Sequence, residues 1–213
     1  LAWEVQENLN SYATYSRGHK AGGFNLDRSF ADGAGSIVSG PVGAQTIRGP
    51  DTTLPAEFVD AYELGLKTIL DDGNLFINTA VFYQVFENFQ LNTFTGISFI
   101  VTPIPEVISQ GVEVETAWTT PIEGLSTTFA VQYTDARYNK LGSLTTPGTF
   151  IALNPGLFLL ADATITHSPE WTLTGGFDYD FRLFNDLVAV FHMDARWQSE
   201  MNTGSNLDPR KVQ

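Results

Sequence analysis

The stretch Glu57–Gln90 reads EFVDAYELGLKTILDDGNLFINTAVFYQVFENFQ, and its period decides the fold. On the way in, Tyr62, Leu64 and Leu66 point one way and Glu63, Gly65 and Lys67 the other. On the way out, Leu75, Ile77, Val81, Tyr83 and Val85 share one face. The opposite face takes Asn78, Gln84, Asn88 and Gln90, with Phe82 and Phe86 among them. Apolar residues that return at every second position specify β-strand; a helix would bring them back every third or fourth. Between the two runs lies Asp71-Asp72-Gly73-Asn74, whose Asp-Gly step is a strong short-hairpin signal. Both predicted strands exceed the ~5–6 residues common in globular sheets and match the ~9–11 residues that cross a bilayer at a tilt.

Outward from this hairpin the same period recurs. A first strand is predicted over about Val5 to Arg17, ended by Gly18, Gly22 and Gly23. Leu26 to Ala56 is rich in Gly, Pro, Ser and Thr and reads as a long loop. About Leu91 to Glu106 reads as a second loop, because Pro103 and Pro105 oppose pairing inside a sheet. The next strand sets Val112, Val114, Thr116 and Trp118 against Gly111, Glu113, Glu115 and Ala117. After a turn at Pro121–Gly124, Leu125 to Tyr138 returns with Phe129, Val131 and Tyr133 on one side. Asn139 to Ser168 is weakly patterned; its apolar piece Leu157–Ala161 suits a strand extension or a loop packed into a barrel mouth. Trp171, Leu173, Phe177, Tyr179, Phe181 and Leu183 then share a face, opposite Asp178, Asp180 and Arg182. A turn at Asn185-Asp186 leads to a last strand with Leu187, Ala189, Phe191, Met193 and Trp197 against His192, Asp194, Arg196 and Gln198.

The 213 residues are 43% hydrophobic, 13% aromatic and only 16% charged, a mix suited to long strands and turns. No run approaches the ~18 apolar residues of a transmembrane helix, whereas a membrane barrel, with alternate residues facing lipid, keeps an average hydropathy like that of a soluble protein. There is no cysteine, which removes disulfides, thiol catalysis and Cys-based metal sites. With 24 acidic and 11 basic residues the net charge is -13, which argues against a nucleic-acid partner. The opening LAWEVQENLN has neither the pattern of a signal peptide nor an initiator Met, so Leu1 is expected to be internal to a longer protein.

Short turns near Asp71, Pro121 and Asn185 alternate with long loops, the asymmetry of an outer-membrane barrel. The alternation alone fits two architectures. In a soluble sandwich the apolar face packs inside; in an outer-membrane barrel it meets lipid and the polar face lines the lumen.

Three motifs add a family resemblance. YELGLKTILDDGNLFINTAVFYQVFENFQ, with its E-x-G-x-K strand, D-G turn and aromatic pair ahead of a Gln, resembles the barrel hairpin of TonB-dependent outer-membrane receptors. YATYSRGHKAGGFN resembles that family's strand-end motif, with His19 where an aromatic is usual, and SQGVEVETAW its G-x-E-x-E strand. The resemblance implies an all-β fold: antiparallel up-and-down strands of a transmembrane β-barrel, here about seven strands of a larger, ~22-stranded one. Residues 1–213 would then be a partial barrel domain without the family's plug domain.

The function so implied is uptake across the bacterial outer membrane. A ferric siderophore, haem, a corrinoid or a carbohydrate would be taken up with energy coupled through TonB. The partners would be outer-membrane lipid, the plug, TonB and the small-molecule ligand. No catalytic set, cofactor or metal site is expected, and the chain is not expected to be an enzyme. The alternatives are a general diffusion porin fragment and a soluble β-sandwich carbohydrate-binding module.

Candidate residues fall into two groups. Phe94, Phe99 and Phe150 are apolar aromatics in hydrophilic segments and are expected at the ligand-catching mouth, against the plainer reading of belt or loop packing. Glu63, Lys67, Glu113, Glu115, Asp178, Asp180, Arg182, His192, Asp194 and Arg196 are expected to face the lumen and plug, against the plainer reading of a mutually paired, solvated wall. His19 and His167 are isolated imidazoles at strand or loop ends.

Overall fold

The computed structural model describes residues 1–24, 36–38, 46–48, 53–94, 99–140, 162–184, 187–204 and 211–213. In chain order its strands are β1 (Ala2–Gln6), β2 (Leu9–Lys20), β3 (Gly23–Phe24), β4 (Ser36–Val38), β5 (Thr46–Arg48) and β6 (Thr53–Leu54). They continue with β7 (Glu57–Leu70), β8 (Leu75–Phe94), β9 (Phe99–Thr119), β10 (Leu125–Lys140), β11 (Trp171–Arg182) and β12 (Val188–Gln198). Eight of them form one open antiparallel sheet in the order β1-β2-β7-β8-β9-β10-β11-β12. This is the up-and-down topology the sequence predicts, with eight strands where the period suggests about seven. The extra one arises because the predicted first strand is two strands with a turn at Glu7-Asn8 between them.

Register carries the hydrophobic pattern across the sheet. Leu66 lies opposite Thr79, Thr79 opposite Val114, Val114 opposite Val131 and Val131 opposite Leu173. A row nearer the long loops runs Tyr15–Tyr62–Tyr83, and a row nearer the short turns runs Leu75–Trp118–Thr127–Phe177. One face is therefore a predominantly apolar band, broken only by Ser and Thr between its margins; aromatic residues stand at both margins, and the long-loop margin passes from Tyr83 to Gln110 and Asp135. All four tryptophans, Trp3, Trp118, Trp171 and Trp197, lie on it and are exposed. Eight residues separate Tyr83 from Leu75, about 27 Å along a strand at ~3.3 Å per residue, or about 20 Å in height at a barrel tilt of ~40°.

The Asp71–Gly73 turn runs through three consecutive positive φ angles, 54°, 51° and 96°. Gly tolerates this without cost and Asp with little. Asn74 closes the turn, donating its backbone and side-chain N–H groups to the Asp71 carbonyl at 2.9 and 2.7 Å. The Trp118 indole donates to the Asp71 carboxylate at 3.3 Å, tying the turn to β9.

At the long-loop end the sequence reading needs correction. Leu91–Phe94 and Phe99–Glu106 are not loop: they prolong β8 and β9 into a ladder whose last pair is Phe94 opposite Phe99. Pro103 is tolerated because pairing of β9 with β10 stops at Glu106 opposite Lys140, so among the described residues Pro103 has a ladder partner on the β8 side only. Asn88, at φ +55°, faces Pro105 where the ladder skips one pair. Beyond that step the simple alternation fails. Phe89, Leu91 and Ile104 pack with Phe86, Val107 and Tyr138, so Asn88 and Gln90 do not continue the polar face as predicted.

This cluster, joined by Ala163 and Ile165, is the main buried core of the described residues, and Ile104, Val107 and Tyr138 are fully enclosed. Asp162–Ile165 falls in the segment that the sequence leaves weakly patterned. Its backbone adds to the end of β10 through bonds between Ile165 and Ala136 and between Ala163 and Tyr138. Leu157–Ala161 lies outside the described residues, and of the predicted loop Leu26–Ala56 the described parts include the short ladder β4–β5 and the strand β6, which pairs with β3 just ahead of the loop.

Candidate functional site

The polar face gathers the residues singled out in the sequence into three groups. In the first, the Tyr12 hydroxyl donates to Glu63 at 2.7 Å and the Lys67 ammonium sits 5.5 Å from the centre of the Tyr12 ring. The ring can lie there because its cross-strand partner is Gly65: a Cβ at that position would run into it. In the second, Gln132 donates to Glu113 at 2.8 Å and Asn78 donates to Glu115 at 3.3 Å. Gly111 repeats the glycine–aromatic arrangement, with Phe82 directly across and no room for a Cβ against the Phe82 ring or the Tyr133 carbonyl. The E-x-G-x-K and G-x-E-x-E patterns thus share one physical content. Each glycine seats an aromatic ring from the next strand, and each glutamate is held by a neutral donor from the next strand.

In the third group His192 stands between two carboxylates, with Nδ1 2.6 Å from Asp178 and Nε2 2.6 Å from Asp194. A neutral ring has one N–H and satisfies only one of these contacts. Asp180, Arg182 and Arg196 lie on the same face by register, with Arg196 opposite Thr174. Glu115, Asp194 and Arg196, with Thr128, Ala130 and Thr174, border a wide-open hollow of ≈ 570 Å³. Among the described residues no group of three or more His, Asp or Glu side chains is placed to hold a metal ion.

The rim above the Tyr15–Tyr62–Tyr83 row carries a different chemistry. Tyr15 donates to Asp60 at 2.7 Å, Arg17 lies 3.8 Å from the same carboxylate and stacks 5.4 Å over Phe58, and the His19 ring is 6.2 Å from Phe58. Further round, Lys140 pairs with Glu106 at 2.7 Å, and Arg137 pairs with Asp135 and lies 3.8 Å from Glu170. These exposed pairs order the strand ends; each contributes little to stability.

Of the predicted mouth aromatics, Phe94 and Phe99 are strand ends facing each other across the tip of the β8–β9 hairpin rather than loop residues. Phe150 lies outside the described residues. His167 sits at φ +60° in the turn before β11, its N–H bonded to the Asn202 carbonyl. Sequence reasoning missed Tyr12, Asn78 and Gln132 as partners of the glutamates. Their period placed the last two on the polar face, but no local signal shows which strand lies alongside.

Comparison with known proteins fits this geometry. Solved structures that superpose include the ferric yersiniabactin uptake receptor FyuA from Yersinia pestis, at 12% identity, TM-score 0.68, 100% of this chain and 26% of that one. The ferric preacinetobactin receptor BauA from Acinetobacter baumannii superposes at 15% identity, TM-score 0.62, 96% of this chain and 26% of that one. The copper transporter OprC does so at 14% identity and TM-score 0.52, over 85% and 23% of the two chains. At such identities the likeness shows the fold alone, and the chain spans about a quarter of the structures it matches. No curated protein matches the sequence. The family model described as TonB dependent receptor-like, beta-barrel matches residues 1–210. The chain belongs to the β-barrel family of TonB-dependent receptors.

Proposed function

We propose that the chain is part of an outer-membrane active-transport receptor that takes up a scarce small-molecule ligand with TonB-coupled energy, and that this ligand is a metal chelate of the ferric siderophore kind. One observation carries the reading: the sheet separates an exposed, predominantly apolar band with aromatic residues at its margins from a polar face whose carboxylates are held by neighbouring strands. A soluble module would need a second layer over the band, because exposed apolar patches of that extent are otherwise unfavourable. Lipid supplies that cover directly.

On this reading the polar face lines the lumen. Glu63, Lys67, Glu113, Glu115, Asp178, Asp180, Arg182, His192, Asp194 and Arg196 meet the plug, a domain of the same protein outside this segment. Phe94, Phe99 and Phe150 meet the ligand at the mouth. The work is binding and gating rather than bond chemistry, so no residue is assigned a catalytic role. Ferric-chelate receptors among the proteins that share the fold are what support a siderophore rather than haem, a corrinoid or a carbohydrate as the proposed ligand.

The test is growth. The full-length protein is expressed in a strain lacking its own siderophore receptors and starved of iron, and a panel of ferric chelates is supplied with and without functional TonB. Growth on one chelate that requires TonB is expected. Growth that ignores TonB would identify a diffusion pore, and no growth on any iron or haem source would remove the iron reading.

A further inference from the structure

Where β2 and β7 leave the sheet their ladder breaks. The pairing Lys20–Glu57 resumes in the same register as Gly23–Leu54 and Phe24–Thr53, but Ala21, Gly22, Pro55 and Ala56 in between are unpaired by backbone. The β7–β8 ladder likewise stops at Phe58 opposite Glu87, and continuing its register would set Gln90 against Pro55, which has no N–H to give.

Side chains from β8 close the gap. The Gln90 amide nitrogen lies 3.1 Å from the Ala21 carbonyl and 3.2 Å from the Pro55 carbonyl, so its two hydrogens serve two different strands. The Gln90 backbone N–H donates to the Glu57 carboxylate at 2.7 Å, and the Asn88 side-chain amide donates to the Ala56 carbonyl at 3.3 Å. Gly22 is pressed so closely against the 54–56 backbone that a Cβ would overlap the Leu54 carbonyl.

We propose that Gln90 is the fastening of the long-loop rim: its amide ties the stem formed by β3 and β6 to the β8–β9 hairpin, making two separate extracellular stems one rigid wall. That these stems are extracellular rests on the reading that the long-loop end faces the ligand. Four hydrogen bonds from two residues hold the joint, and three of them come from side-chain amides, so single substitutions reach it. It also accounts for the Gln that ends the hairpin motif and the Gly pair that ends the β2 motif, which are 67 or more positions apart in the chain yet meet at one point.

The chain has no cysteine, so spin labels can be placed at will. In the full-length receptor, labels at Phe24→Cys and Asn92→Cys, both exposed, report the stem-to-hairpin distance by double electron–electron resonance. A pair at Leu66→Cys and Leu173→Cys reports the sheet itself. Gln90→Ala deletes both donors; Gln90→Glu keeps the shape but turns an acceptor toward two carbonyls. The stem-to-hairpin distribution is expected to widen roughly twofold or more in both variants, at least as much in Gln90→Glu as in Gln90→Ala, with the sheet pair unchanged. A space-filling role predicts the reverse order, with Gln90→Glu close to the unsubstituted protein; that order, or no widening in either variant, overturns the proposal. If the sheet pair widens too, Gln90 supports the whole barrel and the proposed role is wrong. The measurement needs no ligand, so a joint that behaves as described in a protein that transports nothing would overturn the transport reading and leave the joint standing.

Discussion

Placing an arginine at Leu66 tests the assignment of the apolar face most directly. Leu66 is four residues from the Tyr62 margin and exposed by 47% on the bare face of the sheet. Four residues are about 13 Å of strand, and a tilt of ~40° reduces this to about 10 Å of depth, close to the middle of a ~25 Å apolar band. A charge there costs about 2–4 kcal/mol in a membrane barrel, falling to about 0–1 near the interface. Leu70, on the same face and four residues further toward the turns, sits near the opposite margin and serves as the control. The adjoining Lys67 is a charge at nearly the same depth that faces the other way. In a urea titration of the full-length protein folding into phospholipid vesicles, Leu66→Arg is expected to lower the folded-to-unfolded ratio roughly 30- to 700-fold, at about 1.4 kcal/mol per factor of ten. Leu70→Arg should change it several-fold at most. Equal costs at the two positions, or no cost at Leu66, would refute the claim that this face meets hydrocarbon.

Further outcomes follow from the same geometry. The tryptophan fluorescence of this segment should be quenched by brominated lipids and only weakly by acrylamide in water, because Trp3, Trp118, Trp171 and Trp197 all lie on the apolar face; the opposite pattern would place that face against protein or solvent. Gly111→Val should destabilise the barrel by about 1–3 kcal/mol, since the new side chain must displace the Phe82 ring or the Tyr133 backbone, and a heat-modifiability gel would show a smaller folded fraction. Phe94→Ala and Phe99→Ala should each weaken binding of the transported chelate, by roughly 30-fold if either is a binding hot spot. Unchanged affinity for both in calorimetry would end the case for a mouth role.

What could be read in advance was whatever depends on one strand at a time. The period of Glu57–Gln90 and Trp171–Gln198 gives strand, face and approximate length because the pleat acts on neighbours in the chain. The Asp-Gly turn was legible for the same reason. Pro103 was misread because the rule against proline in sheets presumes a partner on both sides, and the sequence does not reveal that β9 outruns β10. Asn88 hides a change of face inside an apparently regular strand. The contacts that hold the polar face, Tyr12 to Glu63 and Gln132 to Glu113, join residues on separate strands, and the joint at Gln90 brings together Ala21, Pro55 and Glu57. No local pattern contains them. They become visible only once register is known.

If the polar face lines a lumen, as proposed, the rings laid over Gly65 and Gly111 set how far the wall reaches into it. An aromatic side chain that stands upright from a wall narrows the bore by its full length. Folded down onto a glycine, it occupies space that a side chain at that position would fill. Tyr12 and Phe82 do this on two adjoining strand pairs, β2–β7 and β8–β9. On the proposed reading, what stands out from the wall beside these rings is charge rather than aromatic bulk: Glu63 and Lys67 next to Tyr12, Glu113 and Glu115 on the strand that carries Gly111.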